Sequence, residues 1–132
     1  MSRENMAVIQ RALQAWNGGD LDASLALLDP RLEWRTTGLF PGVALAYHGH
    51  DGYIRFWNDF RAPWEEIEII PERLLDHGDR VVMFGRFKAR GRDGITVGRD
   101  LGMVFTIRDG LAVEVEAYPS GEQALEAVGP RE

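Results

Sequence analysis

Four residues of this sequence could move a proton or hold a polar ligand, and they fall in two places. His48 and His50 flank Gly49, and histidine is the side chain whose ordinary pKa best suits proton transfer near neutral pH. Arg99 and Asp100 interrupt a run that is apolar at alternate positions, namely Ile95, Val97, Leu101, Met103, Phe105 and Ile107. In a regular strand Arg99 shares the face of those residues and sends its guanidinium inward. A bulge at Gly98 or Gly102 would turn it outward, and a one-residue slip would bring Asp100 in instead. A buried guanidinium keeps its proton, so it needs a carboxylate or a ligand oxygen beside it. The plainer reading of the histidines is a loop residue and a helix-start residue. Neither Asp51 nor Asp59 has the spacing to complete a metal set with them, so no metal site is expected, and no cofactor is called for.

The whole chain narrows the classes further. Its 132 residues fit a single domain over 1–132. Fifteen Lys and Arg against 21 Asp and Glu give a net charge of −6, which disfavours a nucleic-acid partner. No apolar run approaches 18 residues and the start carries charged residues, so neither a membrane span nor a secretory signal is expected, and a cytoplasmic location follows by default. The absence of cysteine excludes disulfides and thiolate nucleophiles.

The elements that must position these residues are read from periodicity. Met6, Ile9, Leu13 and Trp16 place one apolar stripe on a helix from Ser2 to Asn17. Gly18-Gly19 stops it, Asp20 caps a second helix, and Leu21, Leu25 and Leu28 carry its stripe to Asp29-Pro30. Arg31 to Thr37 reads as a strand, Gly38 to Gly49 as a loop that could rim a pocket. A third helix from His50 to Pro63 presents Tyr53, Ile54, Trp57 and Phe60.

Beyond Trp64 the pattern becomes strand and turn. Gly78, Asp93-Gly94 and Asp109-Gly110 separate strands near Glu66–Leu74, Arg80–Arg90, Ile95–Ile107 and Leu111–Tyr118. A Ser-x-x-Gln capping box at Ser120 then opens a short last helix. Odd positions are apolar in the last three strands, so they define the covered face. Helices followed by antiparallel strands give an α+β class: three N-terminal helices packed on a strongly curved antiparallel sheet. Even-numbered Val82, Phe84, Val104 and Tyr118 would leave an apolar patch on the other face, which predicts a homodimer through it.

The segments WNGGDLDASLALLDPRLEW, YHGHDGYIRFW, VFTIRDGLAVEVEAY and GEQALEAVG resemble the nuclear transport factor 2-like superfamily, in the SnoaL-like branch that includes polyketide cyclases, ketosteroid isomerase and limonene epoxide hydrolase. The resemblance covers nearly the whole chain and implies a cone-shaped α+β barrel with a pocket between helices and sheet. The pocket would be lined by Trp16, Trp57 and Phe60 from the helices and by Trp34 from the first strand. From the sheet it would take Met83, Phe87, Met103, Phe105, Val115 and Ala117. Trp16, Trp34, Trp57 and Tyr118 could stack on a ring-shaped ligand, although aromatic residues at this spacing are more often core.

The same resemblance implies where catalytic groups would stand. The isomerase's tyrosine and aspartic acid donors correspond to Ala12 and Met103, and its base falls near Arg35 or Thr36. The hydrolase's Arg-x-Asp pair and last-strand acid correspond to Gly85, Phe87 and Ala117, and the cyclases' acid shares that last position. All three acid–base sets are therefore absent. Two readings remain: a domain that binds a small hydrophobic molecule without the usual catalytic set, or an isomerase, cyclase or hydrolase of a polyketide-, steroid- or terpenoid-like substrate that uses Arg99, Asp100, His48 or His50 instead.

Overall fold

The structure, a computed structural model, describes residues 2–36 and 43–129. Along the chain run α1 (Ser2–Asn17), α2 (Leu21–Leu25), β1 (Leu28–Arg35), β2 (Ala46–His48), α3 (Gly49–Arg61), β3 (Trp64–His77), β4 (Arg80–Gly91), β5 (Thr96–Arg108), β6 (Leu111–Tyr118) and α4 (Gly121–Val128). Strands associate in the order β2-β1-β6-β5-β4-β3 in one curved, open sheet. Every pairing is antiparallel except β1 with β6, which is parallel. The sheet is therefore mixed, where the sequence suggested a wholly antiparallel one.

The helical hairpin forms as its signals predict. Gly19 takes a φ of 68°, and the Asp20 carboxylate accepts from Ala23 N at 3.0 Å, satisfying a free donor of α2. That helix is shorter than its leucine stripe. Leu28 opens β1 instead, because the Leu27 carbonyl accepts from Ala112 N at 2.9 Å and so joins the sheet. Tertiary pairing overrides local periodicity here. The β1–β6 register breaks between Leu28 and Glu33, and Asp29-Pro30 occupies that break, where a residue without an N–H does least harm. The segment expected to be a loop from Gly38 to Gly49 contains β2, while residues 37–42, which include the first part of the proposed rim, lie outside the described residues.

Alternation in the long strands sorts the side chains as expected over most of their length. Val81, Met83, Phe87, Leu101, Met103, Phe105 and Val115 are buried together with Ile9, Leu13 and Trp16 of α1 in one core. Ile95 and Val97, expected on this face, are instead exposed by 62% and 38%. Cover begins only at Leu101, which is 2% exposed, so the first turns of the β4–β5 hairpin project past the helices.

The opposite face corrects a second expectation. Val82 and Val104 are fully buried, in a small cluster with Ala124 of α4, and Phe84, Tyr118, Leu125 and Val128 pack around it. The last helix lies across the outer face of the sheet, held at its start by Ser120 Oγ, which accepts from Gln123 N at 3.2 Å. The apolar patch that suggested a homodimer is thus covered from within the chain. Outside α4 this face is charged: the Arg35 guanidinium binds Glu114 at 2.6 Å, Glu33 at 2.9 Å and Glu116 at 3.4 Å. No helix among the described residues is long and apolar enough to cross a membrane.

Candidate functional site

Between the helices and the inner face of the sheet lies a cavity of about 50 Å³. That is several times the roughly 10–15 Å³ a buried water requires and well below the roughly 300–1,000 Å³ of drug-sized pockets. Its helical wall is built by Val8, Ile9, Ala12, Leu13 and Trp16 of α1, Ser24 of α2, and Tyr53, Phe56 and Phe60 of α3. The sheet contributes Trp34, Ile69, Phe87, Leu101, Met103, Phe105, Ala112 and Ala117, and Thr36 follows β1. Among the described residues that line it there is no carboxylate, imidazole, ammonium or guanidinium.

Aromatic stacking gives the wall its shape. Phe56 lies 4.9 Å from Trp34, 5.4 Å from both Tyr47 and Phe60, and 5.9 Å from Trp16, centroid to centroid. Such distances are typical of rings that attract beyond their area burial. The spacing Tyr53, Phe56, Phe60 follows one helical face, and it is the signal that could have picked out Phe56 from sequence. Arg61 closes the end of α1 from outside, its guanidinium over the rings of Trp16 at 4.8 Å and Trp57 at 4.4 Å while Nη1 donates to the Trp16 carbonyl at 3.1 Å.

The residues expected at the pocket divide. Trp16, Trp34, Phe60, Phe87, Met103, Phe105 and Ala117 line the cavity. Trp57, Met83 and Val115 do not, although all are buried. The Trp57 ring is turned edge-on to Trp16 and beneath Arg61, while Met83 and Val115 are packed into the solid part of the core.

The four candidates for proton transfer stand elsewhere. His48 is largely exposed, with Nδ1 3.2 Å from Glu33 Oε2. His50 Nε2 donates to the Leu28 carbonyl at 2.8 Å and so ties the start of α3 to β1. Asp100 is exposed and pairs with Arg86 at 2.8 Å. Arg99 sits opposite Phe87 in an unbroken β4–β5 register, so no bulge turns it and its face is the inner one. It is nevertheless half-exposed, beyond the helical cover, and is not part of the cavity wall. Parity names a residue's face, but not how far along the strand the helices reach.

The polar residues on the cavity wall are Trp16, Ser24, Thr36 and Tyr53, and of these the sequence reading gave Ser24 no role. Thr36 is fully buried and donates to the Ala44 carbonyl at 2.7 Å. Trp16 Nε1 and Ser24 Oγ are buried with no hydrogen-bond partner among the described residues, a condition that costs about 1–3 kcal/mol for each group left unmatched. The Tyr53 phenol is near enough to Ser24 to feel its hydroxyl, yet the two do not meet in hydrogen-bonding geometry. A signal for Ser24 existed: it occupies a stripe position, three residues after Leu21, where an apolar side chain is the norm.

Burial pushes the Tyr53 phenol far above its ordinary value, and burial is also the first cause raising Tyr47 and Tyr118. Each raised value stabilises the fold below the unfolded pKa of about 10 and loses that contribution as pH climbs past it, because the unfolded chain then releases protons that the fold retains. Phenolate absorbance should therefore appear at higher pH in the folded protein than in denaturant, with Tyr53 ionising only on unfolding. Coincident titration curves would contradict this.

Residues 9–115 match the model of the SnoaL-like domain family. No curated protein matches the chain. Among solved structures, a nuclear transport factor 2-like protein of unknown function from Burkholderia pseudomallei superposes with a TM-score of 0.79 at 22% identity, over 96% of this chain and 98% of that one. TerC, co-crystallised with polyporic acid, superposes at 0.80 with 23% identity, over 96% and 99%. A protein named as a SnoaL-like polyketide cyclase from a Jannaschia species gives 0.76 at 18% identity, over 98% and 94%. Identities this low establish the fold alone, whereas the family model spans most of the sequence: the chain belongs to the SnoaL-like domain family.

Proposed function

We propose that this domain binds one small, uncharged, largely apolar molecule in the cavity between its helices and sheet, without the acid–base apparatus of a catalyst. The observation that carries the reading is the wall itself, whose described residues bring no charged side chain to the cavity. Ala12, Met103, Phe87 and Ala117, which correspond to donor and acid positions in the enzymes the sequence resembles, all lie on that wall and have no group to transfer a proton. A neutral occupant follows, because an ion would be stripped of water with no counter-charge in reach. That TerC was co-crystallised with polyporic acid fits a fold that encloses organic molecules.

Thermal unfolding in the presence of benzene, toluene and phenol, the smallest aromatic probes, tests the proposal. A ligand bound only by the folded state raises the midpoint, by about 2.7 kcal/mol of added stability at a hundredfold excess over Kd. We expect at least one probe to do so and to be recovered chemically unchanged. No shift up to the solubility limit would remove the binding reading, and conversion of a probe above the buffer background would favour the enzymatic one.

With the apolar patch covered, the homodimer expected from the sequence would have to use the part of the outer face that α4 leaves open. At its β1–β6 end one guanidinium, Arg35, faces three carboxylates, Glu33, Glu114 and Glu116, so two copies that meet through this end repel each other and salt relieves the repulsion. Light scattering should give twice the 14.9 kDa of one chain, with the dimer favoured as ionic strength rises. A mass of one chain at all salt concentrations would rule it out.

A further inference from the structure

The two unpartnered atoms specify more than an apolar fit. Trp16 and Ser24 are each only 4% exposed, both line the same cavity, and neither Trp16 Nε1 nor Ser24 Oγ has a hydrogen-bond partner among the described residues. An indole N–H can only donate, and a serine hydroxyl can donate or accept. The helical hairpin brings them to one wall, Trp16 from the last turn of α1 and Ser24 from α2. The other polar side chains on the wall are Tyr53, whose phenol stands near Ser24 without meeting it in hydrogen-bonding geometry, and Thr36, whose hydroxyl donates to the Ala44 carbonyl; Phe87, Met103 and Phe105 of the sheet offer no acceptor beyond a weak thioether sulfur.

We propose, building on the binding function above, that the occupant carries one neutral oxygen, a hydroxyl or a carbonyl, which accepts from Trp16 Nε1 and engages Ser24 Oγ while its hydrocarbon part fills the aromatic remainder of the cavity. One oxygen suffices, since its two lone pairs can take both donors. Neutrality follows from the uncharged wall, because a carboxylate there would be desolvated without a cation to meet it. The site discriminates by default: a hydrocarbon of the same shape leaves both donors unmatched, and sites built to bond an oxygen reject the analogue that lacks one.

Toluene and phenol, which exchange a methyl for a hydroxyl on the same ring, make the test. Their Kd values are measured by calorimetry on the intact chain and on Ser24→Ala and Trp16→Phe. The expected result is that each substitution lowers the preference for phenol over toluene about tenfold, whatever it does to toluene alone. In the unsubstituted protein, the Trp16 indole N–H resonance should move on adding phenol and stay in place with toluene, which keeps the test intact where Trp16→Phe fails to fold. If both probes bind but the substitutions affect them alike and the resonance does not respond to phenol, water alone serves the two atoms and the proposal is overturned while the binding function stands. If neither probe binds, the binding function falls and this inference with it.

Discussion

Replacing Gly102 by alanine should destabilise the fold by about 3 kcal/mol or more, at the upper end of what overpacking costs. The new methyl would fall inside contact distance of the Ser120 carbonyl oxygen and 2.8 Å from Gly121 N. These are backbone atoms of the turn that leads into α4, and they cannot rotate aside. Gly121 is under the same constraint from the other side, since a Cβ there would collide with the Phe84 ring. The only relief is for α4 to lift from the sheet, and that exposes Val82 and Val104, now 0% and 2% accessible. Gly98→Ala in the same strand is the control, because its methyl meets only the flexible Arg86 guanidinium at 3.4 Å, and it should change stability by less than about 1 kcal/mol. Equal midpoints for the two variants in denaturant unfolding would show that α4 is not docked as described.

Phe56→Ala should cost about 3–5 kcal/mol, the usual range for deleting a buried phenylalanine. The ring is 3% exposed and touches Trp16, Trp34, Tyr47, Tyr53 and Phe60, so its removal unsupports every aromatic ring of the helical wall at once. It also enlarges the cavity, so toluene should bind the variant more tightly than the parent and restore part of its lost stability. Denaturant titrations with and without toluene check both halves. A loss below about 1 kcal/mol would mean that the wall stands without Phe56.

The contrast between these two positions shows what the sequence could and could not convey. Strand limits and turns were legible because Gly78, Gly94 and Gly110 sit where φ is positive, at 81°, 88° and 76°, and because alternation persists from Val81 to Ala89. The docking of α4 was not legible. Its apolar residues Ala124, Leu125 and Val128 span too few turns to declare a partner, so the even-numbered residues they cover looked like an exposed patch. Whether Arg99 enters the cavity, left open by the sequence, was not legible for a related reason, since helical cover is set by the three-dimensional reach of α1 and α3 and leaves no periodic trace in β5. Most of the cavity wall was readable as core. Which rings leave a gap, and that Trp16 Nε1 and Ser24 Oγ stay unmatched among the described residues, depends on packing between elements far apart in the chain.

The parallel pairing of β1 with β6 has a consequence for how the molecule comes into being. Trp34 lies beside Val115 and Arg35 beside Glu116, so a strand made early waits for one made some eighty residues later. Until then β1 has only the three-residue β2 to bond with. At a synthesis rate of about 5–20 residues per second, that wait lasts on the order of seconds, long enough for the β3–β4 and β4–β5 hairpins to form first. The inner wall of the cavity therefore assembles before the strand carrying Trp34 can be clamped against it, and closure of the β1–β6 seam, with its large loop-closure entropy, becomes the natural rate-limiting event of folding.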